Sequence, residues 1–242
     1  QGGGEAIVVR NPHPLRPAGR ARRRDHAGDQ GRRSRAAFLE ATRLAGFSES
    51  EAKRLFGRPL LPSDYAGLAG APDDATVEVG TLAGTLYVEL RGPPRQGYRA
   101  FHRVRQTQRS LVILSDGFHI LRRRIQGRGL GLRVLARQLD HARRLGVSRI
   151  ELVAGRRSYE NGYYTWPRFG FDGPLPPHIR EKLPPELNRA QRVLDLMQCQ
   201  AGRRWWKDHG VSMPVLFDLS RGSRSWETFE RYFRERTADR VL

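Results

Sequence analysis

The chain has almost no cysteine: Cys199 stands alone among 242 residues. An intrachain disulfide is impossible and a cysteine-rich zinc site is excluded. A single thiol fits a reducing, cytoplasmic compartment. Lysine is nearly as scarce, since Lys53, Lys182 and Lys207 are the only three among 44 basic residues. Long apolar runs are missing too. The strongest, Leu111–Leu114, Ile150–Ala154 and Val215–Phe217, fall far short of the ~20 apolar residues of a membrane span. The start of the chain lacks the apolar core of a secretory signal. It begins at Gln1 rather than Met, and the expectation is the processed end of something longer.

What is present is positive charge. The formal net charge is +19, carried almost wholly by arginine, in a chain with 26 Gly, 15 Pro and only 38% hydrophobic residues. A GC-rich coding sequence accounts for arginine over lysine. It does not account for an excess that acidic residues fail to balance, and such an excess favours polyanionic partners such as RNA.

Residues 1–36 hold nine Arg against Glu5, Asp25 and Asp29, and only Ala6–Val9 is locally apolar. Such a stretch buries too little to offset its ordering entropy, so it is expected to be a basic, mostly disordered arm or linker. Residues 37–242 are expected to form the folded domain. Ala37, Leu39, Ala41, Leu44 and Ala45 predict a short helix. Ser48 with Glu51 predicts a capping box opening a second helix that ends near Gly57. Thr76–Val79 and Thr85–Leu90 predict a hairpin turning at Gly80–Gly84. Tyr98–Val104, Ser110–Leu114 and Gly117–Arg122 predict further strands.

The most regular helix follows. Leu130, Val134, Leu135, Leu139, Ala142 and Leu145 make one apolar stripe, and Gly146 stands at its end. Arg149–Ala154 predicts a strand, which together with the preceding strand and helix reads as a βαβ unit with a parallel pair. After five prolines between Pro174 and Pro185, a single helix is expected over about Glu186–His209. Its stripe puts Trp205 in the core and leaves Trp206 to stack on a base or meet a partner helix. Gly210 ends it, Pro214–Leu219 reads as a strand, and Ser225 is expected to cap a last helix.

Gln126-Gly127-Arg128-Gly129-Leu130-Gly131 lies between a strand and the start of the regular helix. A helix N-terminus offers unpaired N–H groups and a positive dipole end, and glycines let a phosphate approach them closely. The spacing therefore suits a pyrophosphate, against the alternative of a tight turn that merely needs glycine. A nucleotide P-loop is excluded because no Gly-Lys-Ser/Thr follows. A dinucleotide fingerprint is excluded because Leu132 stands where the third glycine belongs.

Gln126, Gly129 and Gly131 match the Q/R-x-x-G-x-G/A signature, and the chain here resembles the GNAT superfamily of acyl-CoA-dependent N-acyltransferases. The resemblance runs over roughly residues 117–172. It takes in Asn161 and the closing segment Phe169-Gly170-Phe171. It implies an α/β (α+β) fold with a mixed, splayed sheet of about six or seven strands flanked by helices. Residues of about 174–210 would be a helical elaboration of its C-terminal part, where the family usually makes a hairpin. It implies acetyl-CoA as cosubstrate, with Gln126, Gly127, Arg128, Gly129, Leu130 and Gly131 at the phosphates and Asn161 near the pantetheine arm. It implies a strand N–H near Ile120–Leu121 polarising the acetyl carbonyl, direct attack by an acceptor amine, and no metal.

The chain departs from the family where a tyrosine often protonates the leaving thiolate, because Trp166 holds that position. Tyr163 and Tyr164 are the substitute candidates, with core packing as the alternative role for all three aromatics. His119, Asp116 and Glu151 are candidate bases. Thirteen arginines against Asp116 and Asp140 over residues 99–149 exceed what one coenzyme A needs, which suggests RNA. The resemblance implies, by analogy with relatives that acetylate the amino group of aminoacyl-tRNA and act as toxins, an aminoacyl-tRNA acceptor and a toxin-like role, with protein amines, small amines and antibiotics as the other acceptors left open. The competing reading is a non-catalytic nucleic-acid-binding module on a degenerate GNAT fold.

Overall fold

A computed structural model describes residues 7–10, 49–82, 85–157 and 160–238. The fold is mixed α/β, with largely antiparallel strands and flanking helices. The described residues divide into two compact units, those up to 111 with 115–146 and those of 112–114 with 147 onwards.

The first unit contains β1 (Ile7–Arg10), α1 (Glu49–Phe56), α2 (Pro62–Leu68), β2 (Thr76–Leu82), β3 (Thr85–Arg91), β4 (Tyr98–Gln106), most of β5 (Leu111–Ile120) and α3 (Leu130–Arg144). Its strands run in the order β1-β2-β3-β4-β5. Period-two alternation explains them: Val77 and Val79 on β2, Leu86, Val88 and Leu90 on β3, and Tyr98, Ala100 and Val104 on β4 are all buried. The β2–β3 hairpin is tighter than the sequence suggests. Gly80 and Leu82 pair with Tyr87 and Thr85 inside the ladder, so the glycines do not bracket a five-residue turn. Gly117 likewise does not begin a new strand, because β5 runs unbroken through it for ten residues. Ile7–Arg10, within the arm expected to lack structure, pairs antiparallel with Thr76–Val79. The helix expected at Ala37–Ala45 and the Ser48 cap lie outside the described residues.

Helix α2 adds to the elements expected from the sequence, and Pro62 in its first turn and Asp64, which accepts from Leu61 N–H at 2.9 Å, are ordinary start signals for it. It packs on α3 at unusually close range. A Cβ on Gly67 would run into the His141 ring, and one on Gly70 would strike the Val134 carbonyl. Gln138 Nε2 donates to Leu68 O at 2.8 Å and Arg137 Nη1 to Ala71 O at 2.8 Å, so α3 also satisfies the end of α2.

The second unit contains β6 (Val147–Ala154), the short pair β7 (Arg156–Arg157) and β8 (Glu160–Asn161), α4 (Gly162–Arg168), α5 (Pro177–Arg180), α6 (Val193–Met197), α7 (Gln200–His209), β9 (Met213–Asp218) and α8 (Arg224–Ala238). Its strand order is β5-β6-β9, with β5 represented by Val112–Leu114. Phe171, Phe217, Trp206, Leu194 and Leu196 are fully buried. Asp172 ties the unit together, accepting from Arg192 Nε at 2.6 Å, Gly173 N at 2.9 Å and Leu194 N at 3.2 Å. Gly170 has φ +92°, and a Cβ there would meet the Ser225 carbonyl. The Phe-Gly-Phe segment is therefore fixed by packing. Ser223, not Ser225, caps α8 through Trp226 N, while Ser225 Oγ accepts from Asp218 N.

The expected helix over Glu186–His209 is absent as one element. A 3₁₀ turn at Pro185–Leu187 precedes α6, and Cys199 at φ −124° and ψ 159° separates α6 from α7 while its sulfur accepts from Gly202 N. The break resets the helical phase. Trp206 is therefore the buried residue, with its Nε1 donating to Tyr163 O at 2.8 Å, and Trp205 lies half-exposed, stacked on His209. That reverses the roles expected of the two tryptophans.

Candidate functional site

Strand β5 ends at Ile120, and Leu121 N–H donates to Gly97 O at 2.8 Å. That N–H is spent, which removes Leu121 from the pair expected to polarise a carbonyl. A 3₁₀ turn at Arg123–Ile125 then leads into Gln126, whose amide donates back to Ile120 O at 2.9 Å. The side chain thus closes the loop onto the strand it left. Gly127 and Gly129 have φ of +73° and +76°, the left-handed region where a side chain is strained. A Cβ on Gly127 would touch nothing within 4 Å, so it is the backbone angle that requires glycine there. Gly129 is the N-cap of α3, with no side-chain cap and no acidic residue in the first turn.

Leu130, Gly131 and Leu132 open α3, and their N–H groups have no carbonyl one turn back inside the helix. Gly131 would place a Cβ 3.2 Å from the Phe118 ring. Arg122, Arg123, Arg124, Arg128 and Arg133 are all exposed around this loop. Two of them brace it: Arg124 Nη2 donates to Arg95 O at 2.6 Å and Arg133 Nη1 to Arg128 O at 3.3 Å. The loop therefore joins first-turn N–H groups, the positive end of a fifteen-residue helix and nearby guanidinium groups, and the first turn of that helix holds no acidic residue. That is a chemical fit to a phosphate.

The six loop residues and His119 belong to the first unit, whereas Asn161, Tyr163 and Tyr164 belong to the second. His119 is exposed on β5, its ring lying over Gly117. The other two candidate bases are held in ion pairs. Asp116 takes both donors of Arg103 at 2.6 and 2.7 Å, and Glu151 takes Arg149 Nε at 2.6 Å. Asn161 is the exposed N-cap residue of α4.

The Tyr163 side chain is already engaged. Its hydroxyl donates to Lys207 O at 2.7 Å, Arg156 lies 4.8 Å from its ring centroid, and its carbonyl receives the Trp206 indole. Tyr164 is half-exposed, with Arg168 5.3 Å from its ring centroid, and its hydroxyl has no hydrogen-bond partner among the described residues. Trp166 packs edge-on to Phe169 and Phe171 at 6.0 and 5.1 Å. Sequence reasoning missed Arg156, which also donates to Gly210 O and Asp208 O and so closes the C-terminal end of α7. Nothing local in the sequence marks it, because the carbonyls it donates to lie more than fifty residues away.

Among the described residues no cluster of His, Cys, Asp or Glu could hold a metal ion, and no helix is long and apolar enough to cross a membrane. No protein-family model and no curated protein matches the chain. One solved structure that aligns with it is N-acetylglutamate synthase from Neisseria gonorrhoeae, complexed with coenzyme A and N-acetyl-glutamate, at 14% identity and a TM-score of 0.28. The alignment covers 60% of this chain and 26% of that one, so this chain spans about a quarter of that protein's length. A likeness of that degree decides neither fold nor activity.

Proposed function

We propose that the chain is a GNAT-like N-acyltransferase that takes an acetyl group from acetyl-CoA, with residues Gln126–Gly131 holding the pyrophosphate. The observation that carries this reading is the loop itself. The Q-x-x-G-x-G residues coincide with a strand-to-helix turn that has two left-handed glycines, first-turn N–H groups unpaired among the described residues and no acidic residue in the first helical turn. An acceptor amine would attack the thioester carbonyl directly, losing a proton as the C–S bond breaks and the thiolate leaves. Of the two phenols the resemblance offers, Tyr164 is the acid carried forward, because Tyr163 already commits its hydroxyl to Lys207 O. His119 is the base carried forward, because Asp116 and Glu151 are ion-paired. Asn161 is assigned to the pantetheine arm.

The acceptor proposed is an amine carried on RNA, such as aminoacyl-tRNA, on the strength of the net charge of +19. The test is release of free coenzyme A from acetyl-CoA, followed with charged tRNA first and then with peptide and small amines. Acetyl transfer to charged tRNA, reduced at least about tenfold in Tyr164→Phe, is the expected result. No release with any acceptor would refute the enzyme. A second reading, a non-catalytic nucleic-acid module on the same fold, draws on Trp166 replacing the usual tyrosine and on the engaged Tyr163 hydroxyl. It requires RNA binding without any affinity for acetyl-CoA.

A further inference from the structure

We propose that the open face of β3 and β4 binds single-stranded nucleic acid, with Tyr87 and Phe101 as a base-stacking platform and Arg99 and Arg105 at the backbone. Alternate residues of these strands, Leu86, Val88, Leu90, Tyr98, Ala100, His102 and Val104, are buried on the other face. The register sets Tyr87 opposite Arg103, Glu89 opposite Phe101 and Arg91 opposite Arg99, all on the open face. The Tyr87 and Phe101 rings lie diagonally, 5.7 Å apart at 47°. Phe101 is 36% exposed and is the single aromatic among the exposed large hydrophobic residues of the described part.

The acids of this face are already used. Glu78 and Glu89 share Arg91 at 3.0 and 2.8 Å, and Asp116 holds Arg103 at 2.6 Å. Arg99 and Arg105 are exposed and have no hydrogen bond or ion pair among the described residues. The charge left over on the face is therefore positive. Along β4 the outward sequence is Arg99, Phe101, Arg103, Arg105, so cation and ring alternate at the two-residue repeat of a strand. A cross-strand aromatic pair alone would only stabilise a sheet. Guanidinium groups beside an exposed ring add what a nucleotide needs, a phosphate partner next to a stacking surface. An acidic peptide would use the arginines and leave the rings idle, so nucleic acid is the occupant the face fits. None of the loop residues proposed to hold acyl-CoA lies on β3 or β4, and this inference stands or falls apart from that reading.

The test is fluorescence anisotropy of the full chain with a labelled single-stranded oligouridylate, over a range of salt concentrations. Affinity should fall steeply with salt. Phe101→Ala and Phe101→Leu should each weaken binding at least about fivefold, since leucine covers the surface but cannot stack. Arg99→Gln should lower the salt slope by about one. Thermal unfolding and acetyl-CoA affinity should stay as in the wild type, which separates loss of the platform from loss of fold. No binding by the wild type, unchanged binding by both Phe101 variants, or equally effective competition by duplex RNA or an acidic peptide would each overturn the proposal.

Discussion

His102 occupies a buried position on β4 with neither ring nitrogen hydrogen-bonded among the described residues. Burial lowers its pKa from 6.5 to about 4, with the Asp116 charge acting weakly the other way. Between those two values the unfolded chain binds a proton that the folded chain refuses. Stability is therefore complete above about pH 6.5 and is lost as the pH falls towards 4, by about 3 kcal/mol on order of magnitude. Urea unfolding at a series of pH values should show this decline, and His102→Leu should flatten it. A wild-type curve without slope between those pH values would contradict a buried imidazole without a hydrogen-bond partner. Tyr98, four residues earlier on the same face, buries a hydroxyl that likewise has no partner among the described residues, and burial raises its pKa.

Two elements show how packing overrides local pattern. In α7, Trp206 is fully buried with its indole bonded to Tyr163 O, whereas Trp205 lies half in water on His209. Trp206→Ala should cost about 3–5 kcal/mol and Trp205→Ala no more than about 1 kcal/mol, measured by chemical denaturation. Equal losses would contradict the phase set by Cys199. Between α2 and α3, Gly67→Ala should cost about 1–3 kcal/mol by forcing the His141 ring aside. His141→Ala in the same chain should recover most of that, because the colliding atoms are gone. The sequence made β3, β4, α3 and β9 legible through clean periods of two and 3.6, with glycine flanking β3 and α3. It misled over Glu186–His209, where apolar spacing continued across a break made by an extended Cys199 and by Gly202 packed on the Leu196 backbone. The strand-to-helix turn at Gln126–Gly131 was readable because its glycine pattern is local to six residues. The engagement of Tyr163 was not readable, because Lys207 and Arg156 reach it only through the tertiary fold.

For the molecule as a whole, a net charge of +19 and few acids make long-range attraction of anions a property of the entire surface. That attraction alone would weaken any polyanion uniformly as salt rises, so it cannot separate a built coenzyme A site from a sticky surface. A carboxylate placed at Gly131 can. In the first turn of α3 a glutamate suits the helix dipole, and its Cβ asks only a small shift of the Phe118 ring 3.2 Å away. The fold should survive while the phosphate position becomes occupied and negative. Isothermal titration calorimetry with acetyl-CoA, comparing the wild type with Gly131→Glu, is therefore the most direct test. Binding with a Kd of order micromolar in the wild type, and its loss in the variant, is the expected result. No binding by the wild type, or equal binding by both, would contradict the assignment of Gln126–Gly131 to acyl-CoA.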